Sequence, residues 1–164
     1  MPFQSTVEFT SATGVIGDIF IDGPRRGQPG ILRSSDPANN VIGRAFSHVA
    51  GDDLAVTADT PGAFAGILAN SRTYALQGTA AGGTLAPTIV LPNETNVELV
   101  TLTSGIIVLL TTDAAIGENV FYSDTDGSIA ADPSTTLAGH TLIPNAKIVR
   151  RNIPAPGLAI VELT

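Results

Sequence analysis

Two histidines, fifteen carboxylates and eight basic residues are the groups in this chain that could do chemistry. His48 and His140 have no nucleophile or ligand set nearby in sequence, and general-base work needs a positioned partner, so neither is assigned a role. The tetrapeptide DTDG at 124 to 127 begins like a calcium loop, with acids at alternate positions before a glycine. The later ligands and the closing glutamate are missing, and the same four residues make an ordinary hairpin turn. GTAAGGT at 78 to 84 lacks the Lys-Ser or Lys-Thr and the following helix that a phosphate-cradling loop requires. Asp52 with Asp53, and Glu94 with Glu98, lack the aromatic platforms expected around a glycosidase pair, since the chain has no tryptophan and two tyrosines. With no cysteine, a thiol nucleophile, a cysteine zinc site and a disulfide are all excluded. No catalytic, cofactor-binding or metal-ligating set is assigned.

The arginines are different. Arg25, Arg26, Arg33 and Arg44 lie in a stretch, residues 14 to 50, that carries Pro24, Pro29 and Pro37 among glycines and large apolar residues. Proline supplies no amide donor and glycine adds backbone entropy, so the stretch is expected to build no core of its own. Its Val15, Ile16, Ile19, Phe20, Ile21, Ile31, Leu32, Val41, Ile42 and Phe46 are too many for a solvated linker, which predicts an extended arm that finds burial on another subunit. Guanidinium forks suit carboxylates or carbonyls of a neighbour, so the four arginines are the candidate partner-binding residues.

Charge divides along the chain in the same way. The net charge of −7 arises from a neutral first fifty residues, ten acids against Arg72 over 51 to 145, and a basic end carrying Lys147, Arg150 and Arg151. An acidic body argues against nucleic acid as partner, because that affinity depends on neutralising phosphates. Charged residues make up 14% of the chain against about 25% in ordinary domains, a deficit that points to surface covered by neighbours. The longest apolar run, IIVLL at 106 to 110, is far short of a membrane span.

The elements that must position these residues are β-strands. Short runs rich in Val, Ile, Leu, Thr and Phe recur between turn signals: VEF (7 to 9), VIGDIFI (15 to 21), LAVTA (54 to 58), AFAGILA (63 to 69), TIVL (88 to 91), VELVTLT (97 to 103), IIVLLT (106 to 111), NVFY (119 to 122), KIVRR (147 to 151) and LAIVEL (158 to 163). VELVTLT alternates imperfectly, which predicts burial on both faces. A hairpin is expected over 116 to 131, with DTDG as its turn, and a short turn at SSDPANN, 34 to 40. Helix content is expected near zero. The predicted class is all-β: a compact β-barrel or β-sandwich domain over 51–164, preceded by an extended N-terminal arm over 1–50.

The run from Gly14 to Phe46, followed by AFAGILAN (63 to 70), YALQGTAAGGTLAPTIVLPN (74 to 93) and PNAKIVRRN (144 to 152), resembles the structural cement or decoration proteins of tailed-phage capsids. The resemblance implies a non-enzymatic virion protein, made in the host cytoplasm, that binds the outer surface of the head and reinforces contacts between major capsid protein subunits. It also implies self-association, as a homotrimer; the residues themselves lead to the expectation of no cofactor, no nucleic acid and no membrane. Two rivals are weighed against it. A fibre or receptor-binding β module would be expected to expose aromatics, which at 5% of the chain are scarce. A small trimeric β enzyme would need a carboxylate metal set with a nearby base.

Overall fold

The computed structural model describes residues 14–20, 23–71, 90–151 and 155–164. Nine strands run through them: β1 (Arg25–Leu32), β2 (Ala45–His48), β3 (Ala55–Thr57), β4 (Phe64–Leu68), β5 (Asn96–Leu110), β6 (Asn119–Ser123), β7 (Ile129–Asp132), β8 (His140–Arg151) and β9 (Gly157–Leu163). The only other regular element among the described residues is a single 3-10 turn, Pro37–Asn39, capped by the Asp36 carboxylate, which accepts from the Ala38 amide at 2.9 Å.

The strands hydrogen-bond in the order β1-β3-β2-β4-β5-β7-β6-β8-β9, and two further pairings, β1 with β5 and β5 with β9, close this sheet twice. One ring is β1-β3-β2-β4-β5 and the other β5-β7-β6-β8-β9, so β5 belongs to both. Side chains alternate across a strand, and β5 uses the alternation to serve two cores. Its odd-numbered Val97 and Leu99 enter the core of the first ring, with Leu32, Phe46, Val56 and Leu68. Its even-numbered Val100, Ile106, Val108 and Leu110 enter that of the second, with Val120, Tyr122, Ile148 and Val161. This is the physical source of the imperfect alternation in VELVTLT. Thr103 is the hand-over point, paired with Arg25 of the first ring and Leu163 of the second.

Residues 14–20 form a strap across β5. The Gly17 amide donates to the Ile107 carbonyl at 2.8 Å, and the Ile107 and Phe20 amides donate to Asp18 and Gly105 carbonyls, both at 2.9 Å. The strap reaches the first ring through Asn70, whose amide donates to the Gly17 carbonyl and whose side chain donates to Asp18. It reaches the second through Phe20, whose ring centre lies 5.8 Å from the Arg150 guanidinium.

Several expectations are corrected here. Residues 25 to 48 are not an arm set apart from the body: they supply β1 and β2, and Leu32 and Phe46 are fully buried. The expected boundary at residue 50 falls between β2 and β3, which pair with each other. Pro29 does not break β1, because over Arg25 to Gly30 the strand has β5 as its partner and β3 joins only at Ile31; a residue without an amide donor is tolerated on such an open edge. The two strands expected at 97 and 106 are one, since Ser104 and Gly105 pass through an irregularity in the ladder and not a turn. VIGDIF, 15 to 20, lies in the strap, with a bridge from Ile19 to Ile106. The VEF run at 7 to 9 and the GTAAGG loop lie outside the described residues.

Candidate functional site

The four candidate arginines do not form one cluster. Arg33 follows the end of β1 and is held by two carboxylates, its Nη1 2.9 Å from Asp52 Oδ2 and its Nε 3.1 Å from Glu94 Oε1. Both partners are themselves fixed by the backbone. Asp52 accepts from the amides of Leu54 and Ala55, each at 3.0 Å, and these bonds, with Arg33 adding to them, hold its carboxyl below the usual carboxylate range. Glu94 sits in a turn at φ 64°, next to Asn93, whose side chain bridges Ser34 and Asn40.

Arg44, at the entry to β2, reaches across to the second ring. Its guanidinium donates to Asn39 Oδ1 at 3.1 Å and to the Asp126 carbonyl at 2.9 Å, and lies 3.4 Å from the Asp126 carboxylate. Asp126 belongs to the hairpin turn between β6 and β7, where Gly127 takes φ 69° and its amide donates to the Ser123 carbonyl at 3.0 Å. The Ala45 amide in turn donates to the Gly127 carbonyl at 3.0 Å. A Cβ on Gly127 would collide with the Ala45 carbonyl oxygen, so glycine is needed both for the turn and for this docking. Partial burial works against the charge on Asp126, but hydrogen bonds from Ser128 and Ser123 and the Arg44 charge outweigh it, and the carboxyl stays below its ordinary range. The expected hairpin is therefore present, and it is also a joint between the two rings.

Arg25 and Arg26 open β1 and are exposed. Among the described residues neither makes an ion pair. Arg25 borders a polar hollow together with Asp18, Asn70 and Glu98. Successive strand residues point to opposite faces, so these two cations present charge on both sides of the ladder. Arg33 and Arg44 fasten the chain to itself.

The other chemical candidates have structural partners. Asp124 accepts from the Thr141 hydroxyl at 2.6 Å. His48 shares a hydrogen bond with the Gln28 side chain at 3.2 Å, and His140 Nδ1 contacts the Ala138 carbonyl at 2.9 Å. Among the described residues no three His, Asp or Glu side chains gather as a metal set. The surface also carries large apolar groups that the sequence did not single out as exposed: Ile116 at 73%, Val15 at 60%, and Val90 and Leu109 each at 42%. Leu109 lies in the most apolar run of the chain, and its exposure follows from its place on the odd face of β5, beyond the end of the strap.

A body of two fused rings, with its turn carboxylates held in caps and joints, places the protein in the all-β class. Residues 3–164 match the family model of the structural cement protein (E217 gp24/Pam3 gp6), and the chain belongs to that phage family. It is a capsid cement protein, a structural component of the virion. Among solved structures, a chain from the capsid of Myoviridae phage XM1 has the same fold at a TM-score of 0.61, with 14% identity over 100% of this chain and 98% of that one. No curated protein sequence matches the chain.

Proposed function

We propose that this cement protein sits on the outer surface of the head, bridges neighbouring major capsid protein subunits and acts there without catalysis, cofactor or nucleic acid. The observation that carries this reading is the division among the arginines: Arg33 and Arg44 are held within the chain, while Arg25 and Arg26 are exposed with no ion pair among the described residues. A protein that binds the assembled lattice and not its dissociated parts stabilises the lattice by mass action, and repetition over many sites multiplies the effect. Copies associate as a homotrimer, the arrangement that suits a three-fold position on a lattice. The low charge content supports a surface shared with neighbours.

Reversal of both cations, Arg25→Glu with Arg26→Glu, tests the reading. Heads lacking the protein are mixed with limiting amounts of wild type or variant at moderate salt, and bound protein is measured after pelleting. The variant is expected to lose most of its occupancy while its melting temperature stays within a degree or so of wild type, because exposed charges contribute little to folding. Occupancy equal to wild type would assign lattice binding to another surface.

A further inference from the structure

Arg150 stands out from the second ring over an aromatic ring. The ladder irregularity between Ile148 and Arg150 turns it outward: Ile148 pairs with Val161 and enters the core, whereas Arg150 pairs with Ile160, which in turn pairs with Ile107. Directly opposed residues share a face of the sheet, so Ile107, Ile160 and Arg150 form one row on the outer face. The strap closes the apolar end of that row, where a Cβ on Gly14 would lie 2.8 Å from the Ile107 side chain. At the other end Arg150 is exposed, and its guanidinium carbon lies 5.8 Å from the centre of the Phe20 ring, itself 37% exposed. Among the described residues Arg150 makes no ion pair and no side-chain hydrogen bond. The acids on the adjoining elements have other neighbours: Asp18 accepts from the Asn70 side chain at 2.8 Å, and Glu162 stands opposite Lys147.

We propose that Arg150, seated on Phe20, is a second docking point of the protein and receives a carboxylate of a major capsid protein subunit. This inference rests on the lattice binding proposed above and extends it to the second ring. A cation over an aromatic face is held by the quadrupole of the ring, and that contact leaves the planar edge of N–H donors free for a bidentate acceptor. Arg33 and Arg44 differ, because their donors are engaged by Asp52, Glu94, Asn39 and Asp126. Phe20 restrains the Arg150 side chain before any partner arrives, which lowers the ordering cost of binding. A carboxylate complements the site in charge and in planar shape. Bridging also needs two contacts on one body: β1 carries Arg25 and Arg26 on the first ring, and β8 places Arg150 on the second.

The test is titration of the full-length protein onto heads that lack it, with apparent affinity read by pelleting at several salt concentrations. Arg150→Gln is expected to bind about tenfold more weakly, the loss of one charge-assisted contact, and to depend less steeply on salt than wild type. Phe20→Leu keeps the cation and an apolar side chain but removes the ring, and is expected to bind about threefold more weakly. Melting temperatures within a degree or so of wild type separate these losses from a folding defect. If Arg150→Gln melts lower, Arg150→Lys takes its place; it keeps the charge without the planar fork and is expected to bind about threefold more weakly. Wild-type affinity in either Arg150 variant overturns the inference. So does a change of oligomeric state in Arg150→Gln by light scattering, which would assign the group to a contact between copies. Wild type that leaves the heads bare removes the lattice-binding reading as well, whereas wild-type binding matched by Arg150→Gln removes this docking point alone.

Discussion

Arg44 and Asp126 show how one guanidinium can fasten two parts of a chain together. Arg44 holds a carbonyl, an amide oxygen and a carboxylate at once, so Arg44→Ala takes one donor from each, while the Asp126 carboxylate keeps those of Ser128. A loss of about 1 to 3 kcal/mol is expected for such a change, or roughly 2 to 10 °C in melting temperature for a chain of this size. This contrasts with Arg25 and Arg26, where loss of binding without loss of stability is expected. The pH dependence follows from Asp126, whose carboxyl titrates below its ordinary range in the folded chain. A depressed carboxylate contributes stability above the unfolded value of about 4, and the contribution is lost as pH falls through the folded value. Asp126→Asn should therefore lower the melting temperature at pH 7 and narrow the gap between melting at pH 7 and at pH 3. Asp52, Asp59 and Asp132 are depressed as well, so the gap should shrink without closing. An unchanged gap in calorimetry across that range would remove Asp126 from the acid response.

Among the elements, β4 carries a constraint set by backbone. Gly66 takes φ 146°, and a Cβ there would sit 2.9 Å from both Leu99 Cβ and the Val100 carbonyl oxygen. This is where β4 meets β5 to complete the first ring, next to the ladder irregularity opposite Phe46 and Ser47. Gly66→Ala is expected to cost on the order of 1 to 3 kcal/mol from backbone strain alone, with more from the backbone clash. A variant that melts with wild type would show that the β4–β5 junction is looser than described. The same region shows what a sequence reveals of a fold and what it hides. LAVTA, AFAGILA, NVFY and LAIVEL are compact apolar runs, and each became a strand, because burial on at least one face leaves a mark that local reading can detect. RRGQPGIL carries no such mark. It becomes β1 through a partner seventy residues away in sequence, and its proline is acceptable only because one edge stays open. The arginine site was half legible for a similar reason: residue type marks a cation, but whether Asp52 or Asp126 reaches it depends on a turn packed from another part of the chain.

At the scale of the whole molecule, β5 couples everything. Its two faces fill two cores and its two ends close two rings, so the first ring cannot be removed without exposing half of the shared strand. A fragment covering 51–164 lacks β1 and β2, which are both partners of β3, and leaves Val56, Leu68 and Leu99 uncovered. It is expected to melt well below the full chain, or to show no cooperative transition; a fragment as stable as the full chain would restore the division at residue 50. The central claim is that this body, presenting Arg25 and Arg26, cements the shell from outside. Reconstruction of heads with and without the protein by electron microscopy tests it most directly. The account predicts density on the outer surface, over the junctions between major capsid protein subunits, that is absent from heads lacking the protein. Density inside the shell, or confined to the centre of single subunits without bridging, would contradict it.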